Sequence, residues 1–168
     1  MKMIINGRDV DASNGKTLDV LNPATMEFVD TVPVASEQDI EQAVQAAVAA
    51  KKEWRKVPMY KRVAILEKFT QLLERDMDKF TRMMCAETGK PLYACLDESY
   101  ACINIFKAYC EKARNYGGTS LPLDSEPRVE GDVIFTVREP LGVVACIVPF
   151  NYPTELYAHK VAPALVTG

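Results

Sequence analysis

The 168-residue sequence has a single histidine and a single tryptophan, no Cys-x-x-Cys pair, no Gly-x-Gly-x-x-Gly run and no block of like charge. Each absence excludes a class. The one histidine, His159, has no cysteine or carboxylate at zinc-ligand spacing, so no metal centre is expected. Lys and Arg number 20 against 23 Asp and Glu, a net charge of -3, and provide no basic face for nucleic acid. The longest apolar run, Val143 to Phe150, falls far short of the roughly 20 residues that a membrane-spanning helix needs. The opening "MKMIINGRDV" lacks the apolar centre of a signal peptide. A soluble, cytoplasmic protein is expected, and the five cysteines, Cys85, Cys95, Cys102, Cys110 and Cys146, are expected as reduced thiols.

Apolar residues make up 48% of the chain, enough to bury the core of one ordinary domain, and no repeat or linker divides it. Asn6-Gly7 and Asn14-Gly15 accept positive φ between half-apolar runs, predicting a hairpin in "MKMIINGRDV". Asn22-Pro23-Ala24-Thr25 separates two further strands, and Pro33 predicts an edge position for the second. Ser36, three residues before Asp39, forms a variant capping box ahead of a helix whose apolar face carries Ile40, Val44, Val48 and Trp54. A second helix is expected to start at Pro58, turning Val63, Leu66, Phe69 and Leu73 inward, with the pattern renewed through Phe80, Met83 and Met84. Gly89 reads as its left-handed cap. The longest helix should run from Pro91 to about Tyr116, with Leu96, Tyr100, Ile103, Phe106, Cys110 and Ala113 on its apolar side. "DVIFTVRE" alternates, as a half-exposed antiparallel strand does. "VVACIVPF" does not alternate, which predicts a central strand of a parallel sheet covered on both faces.

The candidate site lies where that last strand turns into a helix. Pro149 and Pro153 bracket the turn and restrict φ at two of its five residues, leaving Phe150, Asn151 and Tyr152 between them. Such a turn is where open α/β sheets bind ligands, because backbone N–H groups and the helix dipole converge there. The Asn151 amide can donate to a ligand oxygen. Its side chain could equally cap the helix, which is the commoner role for asparagine at a helix start.

"EPLGVVACIVPFNYP" followed by "HKVAPALVTG" closely resembles a signature of the NAD(P)-dependent aldehyde dehydrogenase superfamily: Pro-x-Gly-Val-Val-x-x-Ile-x-Pro-(Trp/Phe)-Asn-(Phe/Tyr)-Pro, then Lys-x-(Ala/Gly)-Pro-Ala-Leu. "AAKKEWRKVPMYKRVAILEKF" is similar to that family's Trp-bearing helix pair and "ETGKPLYACLDES" to its Glu-x-Gly-Lys-Pro junction, so the resemblance covers the whole chain. It implies an α/β fold: N-terminal strands, a helical segment, an oligomerisation strand around residues 128–140 and the start of a doubly wound, Rossmann-like parallel sheet. Residues 1–168 would form a partial N-terminal cofactor-binding domain. By resemblance Asn151 is the oxyanion-stabilising asparagine, and Ile147, Val148, Pro149 and Phe150 join it in lining the NAD or NADP crevice. Phe150 stands where much of the family has Trp. An aldehyde substrate and a homo-oligomer are implied.

In that family the nucleophilic cysteine, the general-base glutamate and the ribose-binding lysine lie downstream of this motif, and no matching segment follows it here. None of the five cysteines has a histidine or an obvious base beside it in sequence, and all five read as structural. His159 reads as a packing or capping residue, and Lys90 as a cation favoured near a helix C-terminus. The expectation is an N-terminal part of an aldehyde dehydrogenase, inactive alone. A non-catalytic oligomerisation remnant is the alternative.

Overall fold

A computed structural model describes residues 1–123 and 127–168. The expected hairpin forms from β1 (Met3–Ile5) and β2 (Arg8–Val10), joined through Asn6 and Gly7 at positive φ. β3 (Thr17–Leu21) pairs antiparallel with β4 (Phe28–Pro33) across the predicted Asn22–Thr25 turn, with a register shift between Val20 and Leu21. The sheet has only two strands, so the Pro33 at its end lies on an edge, where a missing N–H costs no ladder bond.

Five helices follow among the described residues. Ser36 caps α1 (Glu37–Trp54) with the reciprocal Ser36–Asp39 capping box that the sequence predicts. Pro58 stands at the N-cap of α2 (Met59–Arg75), one position earlier than expected. α3 (Met77–Thr88) ends at Gly89, whose φ of 66° is the left-handed cap inferred from the sequence. Pro91 then opens α4 (Leu92–Ala113), which is three residues shorter at its C-terminus than the pattern suggested. α5 spans Pro153–Thr167.

α2, α4 and α5 share one core. Val63 and Leu66 of α2 meet Cys102, Phe106, Cys110 and Ala113 of α4, and Ala158, Ala162 and Val166 of α5. The alanines of α5 and the cysteines of α4 are small, which lets these two backbones approach closely around Phe106. The Phe106 ring also lies 4.8 Å from that of Phe69. The buried stripe of α4 differs from the expected one: Leu96 and Tyr100 are exposed, and Cys95, Glu98, Ser99 and Cys102 take the inward positions. α3 and α5 both pack on that stripe. Buried hydroxyls serve the helix contacts too, since Thr81 of α3 and Ser99 of α4 stand 2.9 Å apart.

Three expected strands or faces come out differently. Within "DVIFTVRE" only β6 (Ile134–Phe135) pairs, antiparallel with β5 (Ser120–Leu121). Val133, Ile134, Phe135 and Val137 are all exposed, so neither face of this ribbon is covered and the half-burial read from alternation is absent. Val143–Phe150, expected as a central parallel strand, forms no strand pair: every sheet among the described residues is two-stranded and antiparallel. A parallel strand exists only through a neighbour's ladder bonds, and no described segment supplies one. Ile40, Val44 and Val48 on α1 also stay exposed.

Candidate functional site

The turn at residues 149–153 is held from one side by two helices distant in sequence. Gly89 stops α3, Pro91 starts α4, and Lys90 is thereby placed at the middle of the three-residue corner between the two helices. Glu98 lies two turns into α4 on its buried side and is 1% exposed. Lys90 Nζ forms an ion pair with Glu98 Oε2. The same ammonium donates to the Asn151 backbone carbonyl at 3.2 Å and sits 4.1 Å from the centre of the Tyr152 ring. The other Glu98 oxygen, Oε1, accepts from Thr154 N at 2.8 Å, Thr154 Oγ1 at 2.9 Å and Glu155 N at 3.3 Å.

Glu98 is therefore the cap of α5. It takes up two of the N–H groups that a helix start leaves unpaired, and its charge faces the positive end of the helix dipole. Burial alone would push its carboxyl up, but the Lys90 ammonium and the Thr154 and Glu155 donors outweigh that and hold it below the ordinary glutamate value. No side chain at the N-cap position itself, Tyr152, bonds the helix start. The alternative that Asn151 serves as the cap is thus not what the fold adopts.

The C-terminal end of α5 is held in the same manner with opposite charge. The Arg62 guanidinium, buried beneath Trp54, donates to the Val166 carbonyl at 3.3 Å and to Arg55 O at 3.2 Å. Trp54 Nε1 donates to Leu165 O at 2.9 Å.

The residues predicted from sequence occupy the outer side of this frame. Ile147 and Phe150 are 83% and 89% exposed, Pro149 and Asn151 are exposed, and Val148 is half-buried. They are consecutive on one exposed edge. The groups along that edge are apolar side chains, one side-chain amide and the backbone of a segment that pairs with no described strand; of the helix N–H groups on which the sequence reading relied at this turn, those of Thr154 and Glu155 are occupied by Glu98. Apolar side chains beside an amide and free backbone groups suit contact with an uncharged, planar ring. Behind the edge an apolar groove of about 730 Å³ is lined by Ala47 and Trp54 of α1, Val143, Val144 and Cys146, and Leu165 of α5.

Sequence reasoning missed Glu98 and read Lys90 only as a helix-end charge. The available signal was a carboxylate three residues after Cys95 and four before Cys102, inside an apolar stripe where a charge demands a partner. Three of the cysteines, Cys95, Cys102 and Cys110, are buried among the helices; Cys85 and Cys146 are half-buried, and the apolar strand expected to hold Cys146 does not form. Burial pushes the Cys102 thiol up to about 11, assisted by Glu98 and Glu155, and raises Cys95 and Cys110 as well. His159 lies edge-on to Tyr109 at 6.2 Å, a packing role. Among the described residues no cluster of His, Cys, Asp and Glu could hold a metal, and no helix is long and apolar enough to cross a membrane.

Helices packed around α4, small antiparallel sheets and a proline-bracketed turn ahead of α5 define the class, a mixed α/β fold. Comparison with known proteins makes it specific. The family described as "Aldehyde dehydrogenase family" matches residues 10–168, and the chain belongs to it. It is 34% identical, over its whole length and 33% of the relative's, to the D-glyceraldehyde dehydrogenase (NADP(+)) of Picrophilus torridus. Identity reaches 39% with the alpha-ketoglutarate semialdehyde dehydrogenase of Haloferax volcanii, over 99% of this chain and 34% of that one. Among solved structures, the NADP-dependent glyceraldehyde-3-phosphate dehydrogenase from Bacillus halodurans, complexed with NADP, superposes with a TM-score of 0.93 at 32% identity. That match covers 99% of this chain and 35% of the other. The chain thus spans about a third of the length of the relatives it matches, and its fold is that of the corresponding third of an aldehyde dehydrogenase.

Proposed function

We propose that this chain is the N-terminal part of an NAD(P)-dependent aldehyde dehydrogenase that oxidises an aldehyde to an acid or an acyl thioester. Residues 1–168 form part of its cofactor-binding domain, with an oligomerisation strand around residues 128–140. Asn151 is its oxyanion donor. The observation that carries this reading is the division of labour at α5: Glu98 caps the helix, which leaves the Asn151 amide at the exposed turn without a capping task.

A nicotinamide cofactor supplies hydride acceptance when bound, and Ile147, Val148, Pro149, Phe150 and Asn151 would border it. Asn151 Nδ2 donates to the oxygen that gains negative charge when a nucleophile adds to the aldehyde carbon. An amide suits the task because it donates without changing its own charge, and such a donor stabilises the transition state by roughly 3–4 kcal/mol. Ile147 and Phe150, exposed in this chain, would shield that donation from water only once a cofactor and the remainder of the enzyme cover them. In the complete enzyme carrying this segment, Asn151→Ala should lower kcat by roughly a hundred- to a thousandfold and change KM far less. An unchanged kcat overturns the role.

The 168-residue polypeptide alone is expected to be inactive, because its three buried thiols are held protonated and Cys85 and Cys146 have no base against them. Aldehyde-dependent NAD(P)H formation by the purified polypeptide would refute this. The uncovered β5–β6 ribbon favours assembly into a homo-oligomer, and by itself supports a second reading: a non-catalytic interaction module made of the same strands. Intact-mass measurement on the polypeptide in its natural source separates the two. A mass well above 18.7 kDa favours the dehydrogenase and a mass equal to it favours the module.

A further inference from the structure

The polar contacts of Asn151, Tyr152, Thr154 and Glu155 with α3 and α4 centre on Lys90 and Glu98, with one further contact from Thr154 Oγ1 to Met84 Sδ at 3.8 Å. Lys90 Nζ reaches the Asn151 carbonyl at 3.2 Å and the Tyr152 ring at 4.1 Å. Glu98 Oε1 reaches Thr154 and Glu155. Four residues in succession after Phe150, excepting only Pro153, thus converge on one ion pair. The pair itself is not free to adapt: Glu98 is buried, Lys90 is 19% exposed at its side chain, and the lysine backbone is clamped between the Gly89 cap and Pro91. The corner is further tied down by Cys85 Sγ, which donates to Lys90 O at 3.1 Å, and by the Lys90 N–H, which donates to Thr88 Oγ1 at 3.3 Å.

We infer that Lys90 and Glu98 are positioning residues for Asn151, the lysine fixing the peptide that follows the asparagine and the glutamate fixing the helix that follows the turn. This rests on the reading of Asn151 as the oxyanion donor. The chemistry needs both groups. Two prolines restrict φ at positions 149 and 153, but they leave the ψ of Phe150 and both torsions of Asn151 open. A cation on the Asn151 carbonyl removes that freedom, orienting the peptide plane next to the side chain without touching the amide that would meet substrate. A neutral donor in place of Lys90 could bond the carbonyl but would leave Glu98 a lone buried charge, and an ammonium without Glu98 would swing to solvent. The pair therefore transmits the position of the α3–α4 corner to Asn151.

The test uses the 168-residue polypeptide and reads the Asn151 side-chain amide pair and the backbone amides of Asn151, Thr154 and Glu155 by NMR. Lys90→Met leaves Glu98 buried without its cation and can lower overall stability, so the deciding variant is the double Lys90→Met/Glu98→Gln, which removes both charges together and keeps their shape. In the double variant the Phe106 and Val63 core signals should stay in place. Hydrogen exchange at Thr154 and Glu155, whose N–H groups donate to Glu98, should then accelerate roughly tenfold or more, the factor expected when charge-assisted hydrogen bonds are weakened, and the Asn151 side-chain pair should collapse toward the shift of a free amide. Lys90→Arg, which keeps a cation able to reach both Glu98 and the carbonyl, should restore part of the Asn151 dispersion. An Asn151 signal unchanged in the folded double variant overturns the positioning role. Asn151→Ala is the separating control: protection at Thr154 and Glu155 should survive it, so the clasp can stand even where the kinetic test of Asn151 fails, and the reverse.

Discussion

At the scale of single residues, burial sorts the five cysteines. Cys95, Cys102 and Cys110 are buried with their thiols raised, and Cys85 and Cys146 are half-exposed. Only a thiolate alkylates readily. Iodoacetamide at neutral pH followed by peptide mapping should therefore modify Cys85 and Cys146 well before the other three, and denaturant should level all five. Gly89 is a second case. Its φ of 66° is costly for an L side chain, and a Cβ there would stand 2.8 Å from Pro23 Cγ and 3.1 Å from the Ala24 backbone nitrogen. Gly89→Ala should destabilise the chain by roughly 1–3 kcal/mol in urea unfolding, because both backbone strain and the contact with the β3–β4 turn act against it. The sequence made Gly89 legible as a cap; the close approach of the β3–β4 turn came only with the tertiary fold.

At the scale of elements, α5 is the helix on which the site depends, and it is fixed by charges at both ends. Glu98 is held below its ordinary value in the folded chain, so between the folded and unfolded values the unfolded state binds more protons. Its contribution is complete above the ordinary glutamate range and is lost as pH falls through the lowered folded value. Hydrogen exchange at the Thr154 and Glu155 amides, corrected for its intrinsic pH dependence, should accordingly lose protection on acidification through that window. The Glu98→Gln variant should lack this pH step. At the other end Arg62→Met removes the guanidinium from the Val166 and Arg55 carbonyls and should cost roughly 2–4 kcal/mol, read as a lower urea midpoint. The helices themselves were largely readable from sequence: Ser36, Pro58, Gly89 and Pro91 each stand at or next to an observed boundary. The phase of α4 was not, because Leu96 and Tyr100 outrank Cys95 and Ser99 in hydrophobicity. Close packing against α3 and α5 instead favours small inward side chains.

At the scale of the whole molecule, a packed three-helix core coexists with three apolar surfaces that are open: the groove between α1 and α5, the Ile40–Val48 face of α1 and the β5–β6 ribbon. Phe106→Ala, in the core, should cost about 3–5 kcal/mol. Phe135→Lys, on the ribbon, should leave the helical circular dichroism unchanged and reduce self-association measured by sedimentation velocity. Equal association in the variant would remove the ribbon from any oligomer contact.

The sequence by itself determined the family, most helix boundaries and the location of the candidate turn, though not the break at Asp76 that divides the helix expected from Pro58 to Gly89 into α2 and α3. These depend on short-range chemistry: caps, prolines, glycines at positive φ and a dense run of motif residues. Only the tertiary structure decided that Glu98 caps α5 across 56 residues, that Lys90 holds the Asn151 peptide, and that Val143–Phe150 pairs with no described strand. The physical reason is common to all three. A buried charge and a parallel strand are both defined by what faces them, which is set by residues far apart along the chain, where periodicity and spacing carry no information.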